Sequence, residues 1–412
     1  MRALIWFTRD LRLQDNQIFS WLKAHPCEVM TVAFEPENAA PFGLRFFHQS
    51  VLDLQQKLAQ QNITFTLLRG QPERKIAELV KLNRLERILV TKPYNRRDES
   101  VLENVLRANE EVESEIFDQN TLIRLEDLPF ELPQMPDVFT SFRKKVEANL
   151  SIAQPVVTSL NDLKGFGPTF SDSIEIVELE NVLRDPIALP FEFEGGETAA
   201  WRRIDEYFWQ TGSLSHYKET RNGMLKKNDS SKLSPWLANG SLSARSLYQE
   251  LKRYEGERGA NESTYWLFFE LLWRDYFKFL SLKIGEKLFS ISGISEHELQ
   301  WHQDQELFQA WRQGKLGMEF VDANMNELLL TGWMSNRGRQ NVASQLAKGL
   351  GVDWTWGARY FESQLIDADP ESNWGNWLYV AGVGTDPRDR KFKIDRQAEI
   401  YDASGAYRKK WL

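Results

Sequence analysis

The sequence predicts a parallel-sheet α/β domain followed by an all-α domain, and three observations carry that expectation. Up to about residue 120, short apolar runs alternate with helical patterns, as in strands buried on both faces with helices between them. From about residue 196 onward, almost every stretch reads as helix. The tryptophans divide in the same way: of 15, only Trp6 and Trp21 precede residue 200, so the second half has a different task from the first.

Taken in order, Leu4–Phe7, Val29–Phe34, Ile63–Leu68, Ile88–Thr91 and Val112–Phe117 are the expected strands, and 44–60, 72–83 and 97–109 the expected helices. The loop after the first strand, Thr8–Asn16 (TRDLRLQDN), lacks G-x-G-x-x-G. This Rossmann-like unit, placed at 1–122, therefore carries no ordinary dinucleotide fingerprint. Residues 123–195 lose periodicity and gather Pro, Gly, Ser and Asp, which predicts a long surface connection with one helical piece at Phe139–Ala148.

In the third segment, 196–412, the stretch Tyr265–Leu280 (YWLFFELLWRDYFKFL) is apolar nearly all round, as suits the central helix of a bundle. Its charges, Glu270, Arg274, Asp275 and Lys278, are costly there unless paired or used. Glu270 and Arg274 sit four apart, a spacing that suits either an intrahelical ion pair or a site. Further on comes DADPESNWGNWLYVAGVG (367–384), in which Asp369 suits a helix N-cap and Pro370 the first helical position. Asp369, Asn373 and Trp377 recur four apart and share one face. They read either as a capped helix with one core Trp and a satisfied Asn, or as a carboxylate, an amide and an indole gathered in a site.

Composition bounds the function. A chain of 412 residues with 42% hydrophobic and 27% charged residues suits two globular domains. No apolar run has the length of a membrane span, and MRALIWFTRD lacks the apolar core of a signal peptide. The lone Cys27 excludes an internal disulfide and a cysteine-ligated iron–sulfur cluster, and suits a cytoplasmic protein. The 5 His form no H-x-x-x-H pair, so no built-in metal site is expected. A net charge of −8 argues against coating nucleic acid, though not against a local basic groove.

Seven segments follow one another over 200–412. They are Tyr217-Lys-Glu-Thr-Arg221-Asn222, Ser230-Ser-Lys-Leu-Ser234-Pro-Trp-Leu-Ala, Phe269-Glu-Leu-Leu-Trp-Arg-Asp-Tyr-Phe277, Val321-Asp-Ala-Asn-Met325, TGWMSNRGRQNVAS (331–344), Ser372-Asn-Trp-Gly-Asn-Trp377 and Ala381-Gly-Val-Gly-Thr-Asp-Pro-Arg388. With WFTRDLRLQDN and PDVFTSFRKKVE (136–147) from the first half, this order resembles the photolyase/cryptochrome family, and specifically its DASH branch. The resemblance implies an α/β antenna domain, a linker and an all-α FAD-binding domain.

It also implies roles. Tyr217, Ser230, Ser231, Lys232, Leu233 and Ser234 resemble the segment around the FAD phosphates, where hydroxyls, N–H groups and a cation suit a diphosphate. Glu270, Arg274 and Phe277 look like the helix flanking adenine and flavin. Asp367, Ala368 and Asp369 resemble the residues beside ribose and flavin, Arg339 the partner of the first Asp, and Asn336 a neighbour of adenine and substrate. Asn373 resembles the residue facing flavin N5, where an amide suits an anionic reduced flavin better than a carboxylate does. Trp377, Trp354 and Trp301 fall where the family's electron-relay tryptophans lie.

Near the lesion, Glu270 would hydrogen-bond a pyrimidine carbonyl and Trp273 would pack on the dimer's apolar face. Gln340 and Tyr379 stand where duplex-type photolyases carry Met and Trp. Both make the pocket more polar and less tightly stacking, which favours lesions already unstacked. Arg221, Lys226, Arg337 and Arg390 read as phosphate contacts, with a solvated helix face as the plain alternative.

The expected activity is FAD-dependent, blue-light-driven repair of cyclobutane pyrimidine dimers, preferentially in single-stranded or locally unpaired DNA, by a monomer. The alternative is a blue-light photoreceptor that signals without repair. Three departures stand out: Arg390-Lys-Phe-Lys393 replaces Arg-x-Phe-Asn, Glu319 replaces a Pro, and TKPYNRRDES (91–100) has no clear match to the acidic residue of members that hold a folate antenna chromophore. The end at Trp411-Leu412, without an added tail, favours repair or a light response within the core fold.

Overall fold

Strands β1 (Arg2–Phe7), β2 (Glu28–Phe34), β3 (Phe65–Leu68), β4 (Arg87–Thr91) and β5 (Glu113–Phe117) pair in parallel in the order β3-β2-β1-β4-β5. This is a computed structural model, and it describes residues 1–157, 160, 163–184, 186–295, 299–385 and 391–412. Helices α1 (Gln17–Ala24), α2 (Pro41–Ala59), α3 (Pro72–Asn83) and α4 (Arg96–Arg107) connect the strands. Alternation along β1 sends Ala3, Ile5 and Phe7 into the apolar cluster on one sheet face and Leu4 and Trp6 into the cluster on the other. That double burial is why β1 to β4 read as largely apolar runs, whereas β5 is exposed or half-buried along its length. β5 is an edge strand and carries Glu113 and Glu115, both paired with Arg87.

Helix α1 was not expected. Asn16 caps it by accepting the Ile18 N–H at 3.1 Å, and Ile18, Phe19 and Leu22 give it a narrow apolar face. The connection after the sheet is also more structured than its composition suggests. Its helix α5 (Phe139–Ala148) buries Phe139, Phe142 and Val146, and β6 (Lys164–Gly165) pairs with β2.

The second unit is helical from Glu197 onward, around the helix Glu262–Ile284. Asn261 caps that helix with Thr264 in a reciprocal pair. Its charges all find partners, but Glu270 and Arg274 do not pair with each other. Glu270 meets Arg221, whereas Arg274 donates to the carbonyls of Asn120 at 2.6 Å and Leu237 at 3.1 Å. Neighbouring segments bring those partners to the helix, and they displace the intrahelical pair.

Three contacts lock the two units together. Asp15 and Arg245 form a fully buried ion pair at 2.9 Å. Asp275 accepts the N–H groups of Leu122 at 3.1 Å and Ile123 at 2.9 Å. Arg12 donates to the carbonyl of Gly240 at 3.1 Å. Gly240 has φ +75° and lies so close to the Arg9 carbonyl that no Cβ would fit. Among the described residues no helix is long and apolar enough to cross a membrane, and no cluster of metal-ligating side chains occurs.

Candidate functional site

Two cavities flank the start of the helix Pro370–Ala381. The first, of about 270 Å³, lies inside the helical unit. Of the residues expected at a site, Tyr217, Arg221, Ser230, Ser231, Lys232, Leu233, Ser234, Glu270, Arg274, Asn336, Arg339, Asp367 and Asp369 line it. Four segments converge there: the turn before the helix Ser234–Asn239, the helix Glu262–Ile284, the helix Asn336–Ser344, and the N-terminus of Pro370–Ala381.

Local sequence explains each placement. Lys232 takes φ 52° in a tight turn that points its ammonium inward. There it donates to the Lys226 carbonyl at 3.0 Å, and burial pushes its ammonium down to about 8 against the pull of Asp229. Asp367 lies just before the cap residue, and its two oxygens accept from Arg339 Nη2 at 2.9 Å while one also accepts from Ser234 at 2.7 Å. Asp369 caps the helix Pro370–Ala381, accepting the Ser372 N–H at 2.9 Å. Burial pushes the Asp369 carboxyl up, but Lys278, Arg274 and Arg9 outweigh burial and hold it below the usual carboxylate range. Burial likewise raises the Glu270 carboxyl, and Arg221 pulls it back.

Other expected residues sit elsewhere. Ala368 faces the second cavity. Phe277 is stacked near Trp273 at 5.4 Å between ring centroids and presses on Gly375. Trp273 stacks on Phe139 at 3.6 Å and meets Tyr379 edge-on at 6.2 Å, outside the lining of the first cavity. Asn373 donates to the Ala358 carbonyl at 2.8 Å, which leaves its oxygen and one N–H free of that bond. Gln340 accepts from Arg337 at 2.8 Å, and Arg337 also donates to Asn222 at 3.0 Å. Arg221 is turned onto Glu270 and the Trp266 face rather than into solvent. Lys226 is exposed. Arg390 lies outside the described residues.

Trp377, Trp354 and Trp301 belong to one apolar cluster. Trp377 and Trp354 are buried, and Trp301 is half-buried. Trp354 donates to the Ile291 carbonyl at 2.9 Å, and the His302 N–H donates to Gly351 at 2.7 Å, which draws the Trp301 segment beside the start of the helix Trp354–Gln364. Gly357 lets that helix approach so closely that any Cβ would strike the Trp377 indole.

The second cavity, of about 680 Å³, opens between the two units. Thr8 and Arg9 after β1, Pro36 after β2, and Lys92, Pro93 and Tyr94 after β4 contribute to it. It thus sits outside the carboxyl ends of the strands where the order turns between β1 and β4, the usual ligand crevice of an open α/β sheet. The stretch 91–100 therefore lines a cavity even though it shows no fingerprint.

Reading residues alone missed several wall residues of the first cavity. Met224, Leu237, Leu267, Leu271 and Trp333 supply its apolar surface, and Arg339 lies over the Trp333 ring at 5.4 Å. The adjacency of Trp333 to the Asn336–Arg339 segment was the available signal. A run of serine hydroxyls with Lys232 suits a diphosphate, apolar walls suit flat rings, and buried carboxylates suit ribose hydroxyls or ring N–H groups. The donor set therefore fits FAD. One further observation agrees: Asp369 Oδ2 is buried and accepts no aligned hydrogen bond, although the Lys278 ammonium lies 3.2 Å from it.

A family model described as "DNA photolyase" matches residues 3–159, and one described as "FAD binding domain of DNA photolyase" matches residues 266–412. The protein named Cryptochrome DASH of Danio rerio is 42% identical over 437 residues, covering 100% of this chain and 83% of that protein. Its namesake in Gloeobacter violaceus is 43% identical over 432 residues, covering 100% of this chain and 85% of that protein. The crystal structure of a Synechocystis cryptochrome superposes with a TM-score of 0.91 at 40% identity, covering 100% of this chain and 88% of that one. An archaeal photolyase from Sulfolobus tokodaii, described with two FAD molecules and a novel light-harvesting cofactor, superposes with a TM-score of 0.82 at 25% identity, covering 100% of this chain and 90% of that one.

Proposed function

From the premise that this chain belongs to the photolyase/cryptochrome family, in its cryptochrome DASH branch, and is an FAD-binding flavoprotein, we propose that it repairs cyclobutane pyrimidine dimers in single-stranded or locally unpaired DNA under blue light. The observation that carries this reading is the first cavity, whose hydroxyl, cationic and apolar walls meet Glu270 and Asn336 at one site. What bound FAD supplies, once reduced and excited by light, is one electron for the dimer, returned after its ring splits.

The chain's own residues do the rest. Ser230, Ser231, Ser234 and Lys232 would hold the diphosphate, and Asp367, fixed by Arg339, would hold a ribose or ring N–H. Glu270, whose carboxyl is raised by burial and oriented by Arg221, would donate to a pyrimidine carbonyl. Trp273 and Tyr379 lie together at an aromatic patch that would take the dimer's apolar face. Polar Gln340, held by Arg337, and the phenol of Tyr379 would weaken stacking on a flipped dimer, which is the ground for preferring unpaired DNA. The second cavity would hold an antenna chromophore, a flat ring system between Trp6, Phe34 and Tyr94.

The test is repair of one dimer in single-stranded and in duplex oligonucleotides under blue light, with the absorption spectrum of the purified protein. Repair of the single strand ahead of the duplex is expected. Equal repair of both refutes the preference, and light-driven flavin reduction without repair replaces this reading with a signalling photoreceptor.

A further inference from the structure

Lys278 sits in the wall between the two cavities. Its Nζ lies 3.2 Å from Asp369 and 2.8 Å from Glu371, with side-chain exposures of 2%, 8% and 1%. Lys278 and Glu371 border the larger cavity, and Asp369 borders the smaller one. Lys278 stands four residues beyond Arg274 on the same helix, yet Arg274 is spent on two backbone carbonyls.

Among the described residues, Lys278 and Arg274 act on Asp369 from the long helix and Arg9 from the loop after β1; Glu371 shares Lys278 with it, Asp275 also feels Lys278, and Asp367 belongs to its own segment. Asp367 is neutralised by Arg339, and Arg9 is shared with Asp98 at 3.3 Å. Glu371 accepts from Asn95 at 2.5 Å through one oxygen and from Lys278 through the other. Asp369 Oδ1 is held by the Ser372 N–H, so Oδ2 is fixed toward Lys278. One ammonium thus stands between two buried carboxylates. Without it, only Arg9 and Arg274 offset two like charges in a water-poor site, which favours uptake of a proton by one of them.

We propose that Lys278 is a positioning residue for the flavin: acting through Asp369, it holds a fixed carboxylate, in charge and orientation, at the wall of the smaller cavity. This rests on FAD occupying that cavity. Asp369 lines the smaller cavity and Lys278 the larger one, so the carboxylate is the nearer charge to a cofactor there and opposes addition of electrons to it; by keeping Asp369 ionised, Lys278 sets how readily that cofactor is reduced.

The test compares Lys278→Met, Lys278→Arg and wild type from about pH 5 to about pH 9, the range that brackets a displaced carboxyl titration. The first readout is the flavin reduction equilibrium in the loaded protein, and the second is the melting temperature of the flavin-free protein. In K278M the reduction equilibrium should acquire an extra pH-dependent segment and change by about tenfold across it, the weight of one pKa unit. K278R should follow wild type. In the flavin-free arm, a carboxyl whose folded pKa is raised above its unfolded value loses stability as pH rises through that window, so the K278M melting temperature should fall there while wild type does not.

A purely structural lysine predicts a K278M curve lower than wild type but parallel to it in both readouts, and that result overturns the proposal. If K278M does not fold, Asp369→Asn reads the same charge. Its reduction equilibrium should move about tenfold toward the reduced flavin, and an unchanged equilibrium overturns the proposal. Failure of wild type to take up FAD refutes the functional reading instead, and the flavin-free arm then still decides whether Lys278 holds Asp369 ionised.

Discussion

The pair Arg339–Asp367 offers a prediction whose size follows from its geometry. Asp367 is 3% exposed and receives one guanidinium nitrogen on both oxygens at 2.9 Å, whereas Arg339 is 25% exposed. Replacing Arg339 by Met keeps much of the packing over Trp333 but leaves the carboxylate without its cation. Breaking a buried pair in this way costs about 3–5 kcal/mol. Water reaches the arginine side and the Ser234 hydroxyl still donates to Asp367, so about 2–3 kcal/mol is expected, just below that range. For a folded unit of this size the melting temperature should fall by roughly 4–12 °C. Asp367→Asn keeps the Ser234 bond and should cost less, about 1–2 kcal/mol. The double variant should cost hardly more than Arg339→Met alone, because the stranded charge has gone. The assay is thermal and denaturant unfolding of all four proteins without flavin, followed by FAD titration of each. If the two single costs add to within about 0.5 kcal/mol, Arg339 and Asp367 are not coupled and this account of the wall is wrong.

Three further outcomes are expected. Trp377→Phe should abolish light-driven reduction of oxidised flavin while costing only about 1 kcal/mol of stability, and transient absorption at a wild-type rate would remove Trp377 from the relay. Lys226→Ala and Arg337→Ala should each flatten the slope of log K against log salt for single-stranded DNA by about 0.7, as measured by fluorescence anisotropy; an unchanged slope in both places the strand elsewhere. Glu327 is buried against Tyr407, which donates to it at 2.6 Å, and burial pushes its carboxyl from 4.5 up to about 7. The folded state therefore binds the extra proton, and stability is fully present below about pH 4.5 and is lost as pH rises to about 7. Glu327→Gln should flatten the melting profile across that window, and a variant that keeps the wild-type slope would show that another group titrates.

What could be read from residues alone, and what could not, divides along chain distance. The inner strands were legible because burial on both faces leaves a largely apolar run, as in Val29–Phe34, and α5 was legible because Phe139, Phe142 and Val146 share one face. Helix α1 was not, because a short helix rich in aromatic residues directly after a polar loop has no period long enough to see. At the site the same limit acts on charge. The helix Glu262–Ile284 advertises Glu270, Arg274 and Lys278 as costly on any apolar face, but local spacing offers only the four-apart pair, and the structure rejects it. The true partners of Lys278 lie some ninety residues on, at a helix start recognisable only as a cap. Arg221 illustrates the same limit from the other side: a basic residue in a basic stretch reads as a phosphate contact, and in the fold a half-buried carboxylate 49 residues away pairs with it. On the proposed function, a strand of DNA would compete with Glu270 for Arg221, and a phosphate that won would leave the Glu270 carboxyl without its cation, raised further, and readier to donate a proton to a pyrimidine carbonyl.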